Sequence, residues 1–117
     1  MTSSNPLYRQ KTVMLERAGK EQKAPIWKAA AELLARAGGT RVEVNLGRVS
    51  RMVEDGQAVF IPGKVLGTGV VDKKLVVGAF SFSANARSKL EAAGGSALSV
   101  EKFLSKYPKG RGVRLVQ

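Results

Sequence analysis

Residues 64–95, KVLGTGVVDKKLVVGAFSFSANARSKLEAAGG, constrain the fold of this chain more than any other stretch. Two apolar runs flank a short charged segment, and a helical pattern follows. Residues 65–71 predict one strand, kinked in its middle by Gly67 and Gly69. Asp72, Lys73 and Lys74 read as a polar hairpin turn whose lysines face solvent. Residues 75–80 are almost unbroken in their apolar character and include β-branched Val76 and Val77, which suits a strand covered on both faces. Ser83 then offers a hydroxyl oxygen to the unpaired N–H groups of a helix starting at Ala84. Ala86, Leu90 and Ala93 fall on one face of that helix. Gly94 and Gly95 end it, because glycine adopts the left-handed conformation that a helix stop uses. The unit is strand, turn, strand, helix.

The flanking segments alternate in the same way. Asn5 and Pro6 predict a helix start, with an apolar stripe of Leu7, Met14, Leu15 and Ala18. Residues 19–24 form a polar connection. Pro25 opens a stronger helix, PIWKAAAELLAR, with Ile26, Ala29, Ala30, Leu33, Leu34 and Ala37 at helical spacing and Gly38-Gly39 as its stop. Trp27 is the only tryptophan, read first as the anchor of this helix and second as a platform for base stacking. Residues 41–44 suggest a short strand. Asn45 then occupies an N-cap position, with Val44 and Val49 spaced as a hydrophobic staple. The helix at 46–53 turns Leu46, Val49 and Val53 inward and leaves Arg48 and Arg51 on its other face. Residues 57–61 predict a strand and Pro62-Gly63 a turn. Near the other end, Ser99 caps a helix at 100–106 with Leu98 and Phe103 at staple positions. Lys109-Gly110-Arg111-Gly112 is a flexible basic loop, and residues 113–116 are a last short strand.

Alternating strands and helices argue for an α/β fold. The expectation is a single compact domain over 1–117, with an N-terminal helical part at about 5–38 and a core at about 41–117. That core is built of irregular β-β-α units, with short helices packed on a small sheet. A chain of this length can bury roughly two-thirds of its unfolded surface, so one core needs no covalent staples.

Charge bounds the function. Twenty Lys and Arg stand against nine Asp and Glu, a formal net charge of +11. The excess is spread evenly: residues 1–51 carry ten bases and four acids, residues 52–117 ten and five. The folded body itself therefore presents the positive surface, and polyanions are its natural partners. Cysteine and histidine are both absent. The chain thus lacks a thiolate nucleophile, the commonest metal ligand and the usual general base near neutral pH. No paired carboxylates can be placed on one site, and Ser81 and Ser83 have no base partner. The expectation is no enzyme, no cofactor and no metal. No apolar run suits a membrane span and no signal-peptide pattern is found, which predicts a cytoplasmic protein.

Two motifs fail on inspection. A phosphate-binding GxxxxGK[ST] loop would need glycine at position 58 and a hydroxyl after Lys64, but Ala58 and Val65 stand there. Gly67 and Gly69 begin a dinucleotide fingerprint, but Asp72 takes the place of its third glycine. The two glycines fit close approach of another backbone, or of an RNA phosphate with Lys64 beside it.

The central stretch resembles the signature shared by bacterial large-subunit ribosomal protein fifteen and archaeal and eukaryotic large-subunit ribosomal protein eighteen. Lys64, Val65, Leu66, Gly67, Gly69, Leu75, Val77, Phe82, Ser83, Ala86, Leu90 and Gly94 carry the resemblance. Outside it, NPLYRQ, APIW, RVEVNLGRVSRM and IPGKVLG look like the archaeal and eukaryotic branch, and the short length looks archaeal. The resemblance implies a structural ribosomal protein that binds large-subunit ribosomal RNA, meets neighbouring ribosomal proteins, takes no small-molecule substrate and catalyses nothing. Its rivals are a free-standing nucleic-acid-binding factor and, more distantly, an enzyme.

Against such a polyanion, affinity comes mainly from phosphate neutralisation and counterion release. A-form RNA hides its major groove, so shape and backbone recognition are expected. Candidate RNA contacts are Arg41, Asn45, Arg48 and Arg51 around the third helix, and Lys64 and Thr68 beside the glycines. Lys109 and Arg111 in the last loop, and Arg9 and Lys11 in the first helix, complete the set. Asn45 has a rival use as a helix cap, and the Arg48/Arg51 face a rival reading as a solvated one.

Overall fold

A computed structural model of the chain describes residues 6–36 and 42–117. The expected cap at Asn5, the glycine stop at Gly38-Gly39, the side chain of Leu7 and the candidate contact Arg41 lie outside the described residues. In order, the elements are α1 (Pro6–Glu21), α2 (Pro25–Arg36), β1 (Glu43–Asn45), α3 (Leu46–Met52) and β2 (Ala58–Leu66). They continue with β3 (Val76–Phe82), α4 (Ala84–Ala92), β4 (Ser96–Leu98), α5 (Val100–Lys106) and β5 (Val113–Leu115).

The five strands form one sheet in which every pairing is parallel. The path runs β1-β2-β3-β4, and β5 also pairs with β2. Because β3 occupies one edge of β2, β1 and β5 share the other. Strand β5 pairs with Ala58–Phe60 by register and β1 with Lys64–Leu66. Two expectations change here. The segment 72–74 is no hairpin turn: residues 67–75 carry the chain back along the sheet so that β3 runs parallel to β2. The expected turn at Pro62-Gly63 lies inside β2, where the register with β3 shifts. Proline has no N–H for a ladder, and it sits in the gap between the β5 and β1 pairings, where none is required. The strand expected at 65–71 accordingly ends at Leu66.

Residues of β2 and β3 alternate between two apolar layers. Val59, Ile61, Val65, Val77 and Ala79 face α3 and α4, where Leu46, Val49, Val53, Ala86 and Leu90 cover them. Ala58 and Phe60 face the opposite side, with Leu15 of α1, Trp27, Ala30 and Leu34 of α2, and Val100 and Phe103 of α5. Each fully buried aliphatic or ring is worth about 1.5–3 kcal/mol over its exposed state.

Trp27 is the keystone of the second layer. It is fully buried and packs edge-on against Phe60 and Phe103, with centroids 5.4 and 5.9 Å away. Its Nε1–H donates to the Pro108 carbonyl at 2.9 Å. The anchor reading therefore holds, and no ring face is open to a base. Helix α1 runs through Gly19, where a Cβ would lie 3.1 Å from the Lys28 backbone nitrogen. That close helix–helix approach shortens the polar connection expected at 19–24.

Local signals in the central unit act as the sequence suggests. The Ser83 hydroxyl accepts from the Ala86 N–H at 3.1 Å, and the Ser99 hydroxyl from the Lys102 N–H at 3.3 Å. Gly94 takes φ +82°, which ends α4.

Candidate nucleic-acid interface

Parallel strands put their C-terminal ends on one side of the molecule. Asn45 of β1 is level with Leu66 of β2, and Val65 is level with Phe82 of β3. Helices α3 and α4 both begin there, and residues 67–69 cross between them. The Gly47 N–H at the start of α3 donates to the Thr68 carbonyl at 2.9 Å. A Cβ on Gly69 would sit 2.6 Å from Gly47 Cα, and one on Gly67 2.8 Å from the Ala86 nitrogen. The Lys89 ammonium of α4 donates to the Gly69 carbonyl at 2.7 Å. The glycines thus serve close backbone approach on both flanks, and the loop between them is fixed.

Asn45, Arg48, Lys64 and Thr68 gather around this loop, with Arg51 one turn further along α3. Asn45 stands at the N-cap position with φ −83° and ψ 137°, yet its side chain makes no capping bond. Its amide is exposed and meets no partner among the described residues. Arg48 and Arg51 are exposed, and Lys64 is half-buried. Arg48 Nη1 donates to the Gln117 carbonyl at 3.2 Å. Arg51 and Lys64 have no charged partner among the described residues.

The remaining candidates lie elsewhere. Lys109 and Arg111 precede β5 at the opposite end of the sheet, exposed on a loop tied down by the Trp27–Pro108 hydrogen bond. Arg9 is exposed on α1, beside a groove of about 610 Å³ lined by Val13, Met14, Ala18 and Leu104. The Lys11 ammonium pairs with the Glu101 carboxylate, joining α1 to α5. That hydrogen bond, helped by one from the Glu101 backbone, holds the carboxyl below the usual glutamate range. Three separate positive regions result.

Sequence reasoning missed Lys89 and Val70 as members of the loop region. Lys89 stands four residues after exposed Asn85, a helical spacing that points both toward the same side. Val70 falls in a segment expected as strand; it is instead 76% exposed just beyond the fixed glycines. Lys73, expected in solvent, donates to the Ser50 and Val53 carbonyls at 2.6 and 2.8 Å. It satisfies the carbonyl end of α3 and opposes its dipole. Arg114 joins it there, with Nη1 3.2 Å from the Met52 carbonyl. No described helix is long and apolar enough to cross a membrane.

Residues 43–98, from β1 through β4, match the family model described as ribosomal proteins 50S-L15 and 50S-L18e together with their 60S counterpart. Most of the twelve signature residues turn out to be architectural. Val65, Leu75, Val77, Ala86 and Leu90 form the core beneath α3 and α4, and the glycines and Ser83 set the backbone. Across nearly its full length the chain is similar to "Large ribosomal subunit protein eL18" of Archaeoglobus fulgidus, 41% identical over 117 residues, 99% of each chain. It is similar to the protein of that name from Methanococcus maripaludis, 40% identical over 114 residues, covering 97% of this chain and 95% of the relative. The Methanopyrus kandleri protein of that name is 39% identical over 108 residues, 88% of this chain and 85% of the relative. A shared core, shared turns and similarity from end to end lead to one conclusion: the chain belongs to the eL18 family of large ribosomal subunit proteins, a family of structural ribosomal proteins and not of enzymes.

Proposed function

We propose that this protein is held in the large ribosomal subunit by contacts between its basic surface and the phosphate backbone of the subunit's RNA. The observation that carries this reading is unneutralised charge. Of twenty basic residues in the chain, only Lys11 forms an ion pair among the described residues. The rest of the charge faces outward or caps backbone carbonyls. Arg48, Arg51, Lys64 and Lys89, with Asn45 and Thr68 between them, make the principal contact region. Lys109 with Arg111, and Arg9, are secondary contacts at other points of the surface. Lys11 drops out of that list, because the Glu101 carboxylate already meets its charge. Neighbouring ribosomal proteins cover part of the remaining surface.

Guanidinium groups at this end of the sheet suit bidentate phosphate contacts, and lysines act as point charges. The test is sedimentation of a lysate on a sucrose gradient after a high-salt wash. Stoichiometric travel with the large subunit is expected. A chain found at the top of the gradient would replace residence with transient RNA binding.

A further inference from the structure

The tip formed by Thr68, Gly69 and Val70 is an exposed apolar and hydroxyl-bearing knob on a backbone that cannot yield. All three residues are exposed, and Val70, at 76%, is the most exposed large apolar side chain among the described residues. Hydrogen bonds to Gly47 and from Lys89 fix the two carbonyls just before it. Gly69 at φ +98° lies against Gly47, so the tip cannot fold down onto α3. Arg48, Arg51 and Lys89 frame it with positive charge, and the Asn45 and Asn85 amides stand beside it. A loop needed only for connection has no reason to hold a valine rigidly in water.

From this arrangement we infer that the tip enters the shallow minor groove of an A-form RNA duplex. There Val70 lies against ribose C–H surface and the Thr68 hydroxyl exchanges a hydrogen bond with a 2′-OH, while the surrounding cations rest on the flanking phosphates. The groove suits it: in A-form RNA the minor groove is wide and shallow and displays the 2′-hydroxyls. The valine gives up little water to enter, and the threonine hydroxyl can both donate and accept. The inference rests on the RNA-binding reading above, and gives this tip the role of recognising ribose where the cations recognise charge.

The experiment is hydroxyl-radical footprinting of a large-subunit ribosomal RNA transcript with the wild-type chain, Thr68→Val with Val70→Ser, and Arg48→Ala with Arg51→Ala. Binding is measured in parallel across a salt series. Wild type should protect riboses of a paired segment. The tip variant should lose that protection and bind about tenfold more weakly, with its salt slope unchanged. The arginine variant should flatten the slope instead. Undiminished ribose protection in the tip variant, with normal wild-type binding, overturns the groove contact alone and leaves the tip to a protein neighbour. Protection confined to unpaired nucleotides overturns it equally. Absence of salt-dependent binding by wild type would defeat both this inference and the function it rests on. Thr68→Val alone, which keeps the shape, should still remove part of the protection.

Discussion

Replacing Gly78 with alanine tests the packing of the aromatic layer at its tightest point. The added Cβ would lie 2.4 Å from Cδ1 and Cγ of Phe103 and 2.8 Å from its Cβ. Carbon atoms rest about 3.5–4.0 Å apart, so the ring must retreat by about 1 Å. It has nowhere to go: Phe60 and Tyr107 stand at 5.4 and 4.9 Å between centroids, and Trp27 at 5.9 Å. Helix α5 has to lift from β3. Overpacking of this kind typically costs about 1–3 kcal/mol, and the fenced ring places this case near the upper limit. Strand propensity works the other way, because alanine should gain about 0.5–1 kcal/mol over glycine. A net loss of about 2 kcal/mol, or roughly 8 °C in Tm, is expected. Urea unfolding followed by Trp27 fluorescence reads it directly, since the indole belongs to the disturbed cluster. Phe103→Leu in the same background should relieve the clash, giving a coupling of about 1–2 kcal/mol in the double-mutant cycle. A Gly78→Ala variant within about 0.5 kcal/mol of wild type, or strict additivity with Phe103→Leu, would refute the reasoning.

Three further outcomes are expected. Arg48→Ala with Arg51→Ala should make the slope of log K against log salt shallower by about 1.5–2 in RNA binding, with the urea midpoint unchanged; an unaltered slope removes that face from the interface. Ser83→Ala should cost about 1 kcal/mol by leaving the Ala86 N–H without its acceptor, while Ser83→Asp should hold stability near wild type. Glu101→Gln should remove a few tenths of a kcal/mol at neutral pH, the pair being half-exposed. Because the folded carboxyl titrates lower than the unfolded one, its contribution is present above the ordinary glutamate range and is lost as pH falls through the lowered value. The gap between wild type and Glu101→Gln in urea midpoint should therefore close on going from pH 7 to about pH 3.

What the sequence made legible was local chemistry. Ser83, Ser99 and Gly94 are understood from a few neighbours each, and the structure uses them as their residue types suggest. The outward turn of Arg48 and Arg51 follows from helical spacing in the same way. Strand direction was not legible, because a charged triplet between two apolar runs fits either a hairpin or a crossover. Pro62-Gly63 reads as a turn in isolation; only the gap between two partner strands lets a strand pass through it. The assembly of the site was hidden for the same reason. Thr68 meets Gly47, and Lys89 meets Gly69, across separations that only the folded sheet creates. Lys109 and Arg111 carry the same charge as Arg48, yet the sheet sends them to its far end.

The shared edge of β2 has a consequence for how the chain reaches its fold. Lys64–Leu66 can be covered as soon as β1 docks, from just upstream. Ala58–Phe60 must wait for β5, with β3, α4, β4 and α5 all intervening. Until then a short run of central-strand backbone stands open, apolar on both faces and ready to accept any passing strand. Parallel pairing over such distances is intrinsically slow. Removing residues 113–117 would make that opening permanent, so the soluble yield of such a truncation should fall further than the loss of Leu115 and Val116 from the core would suggest.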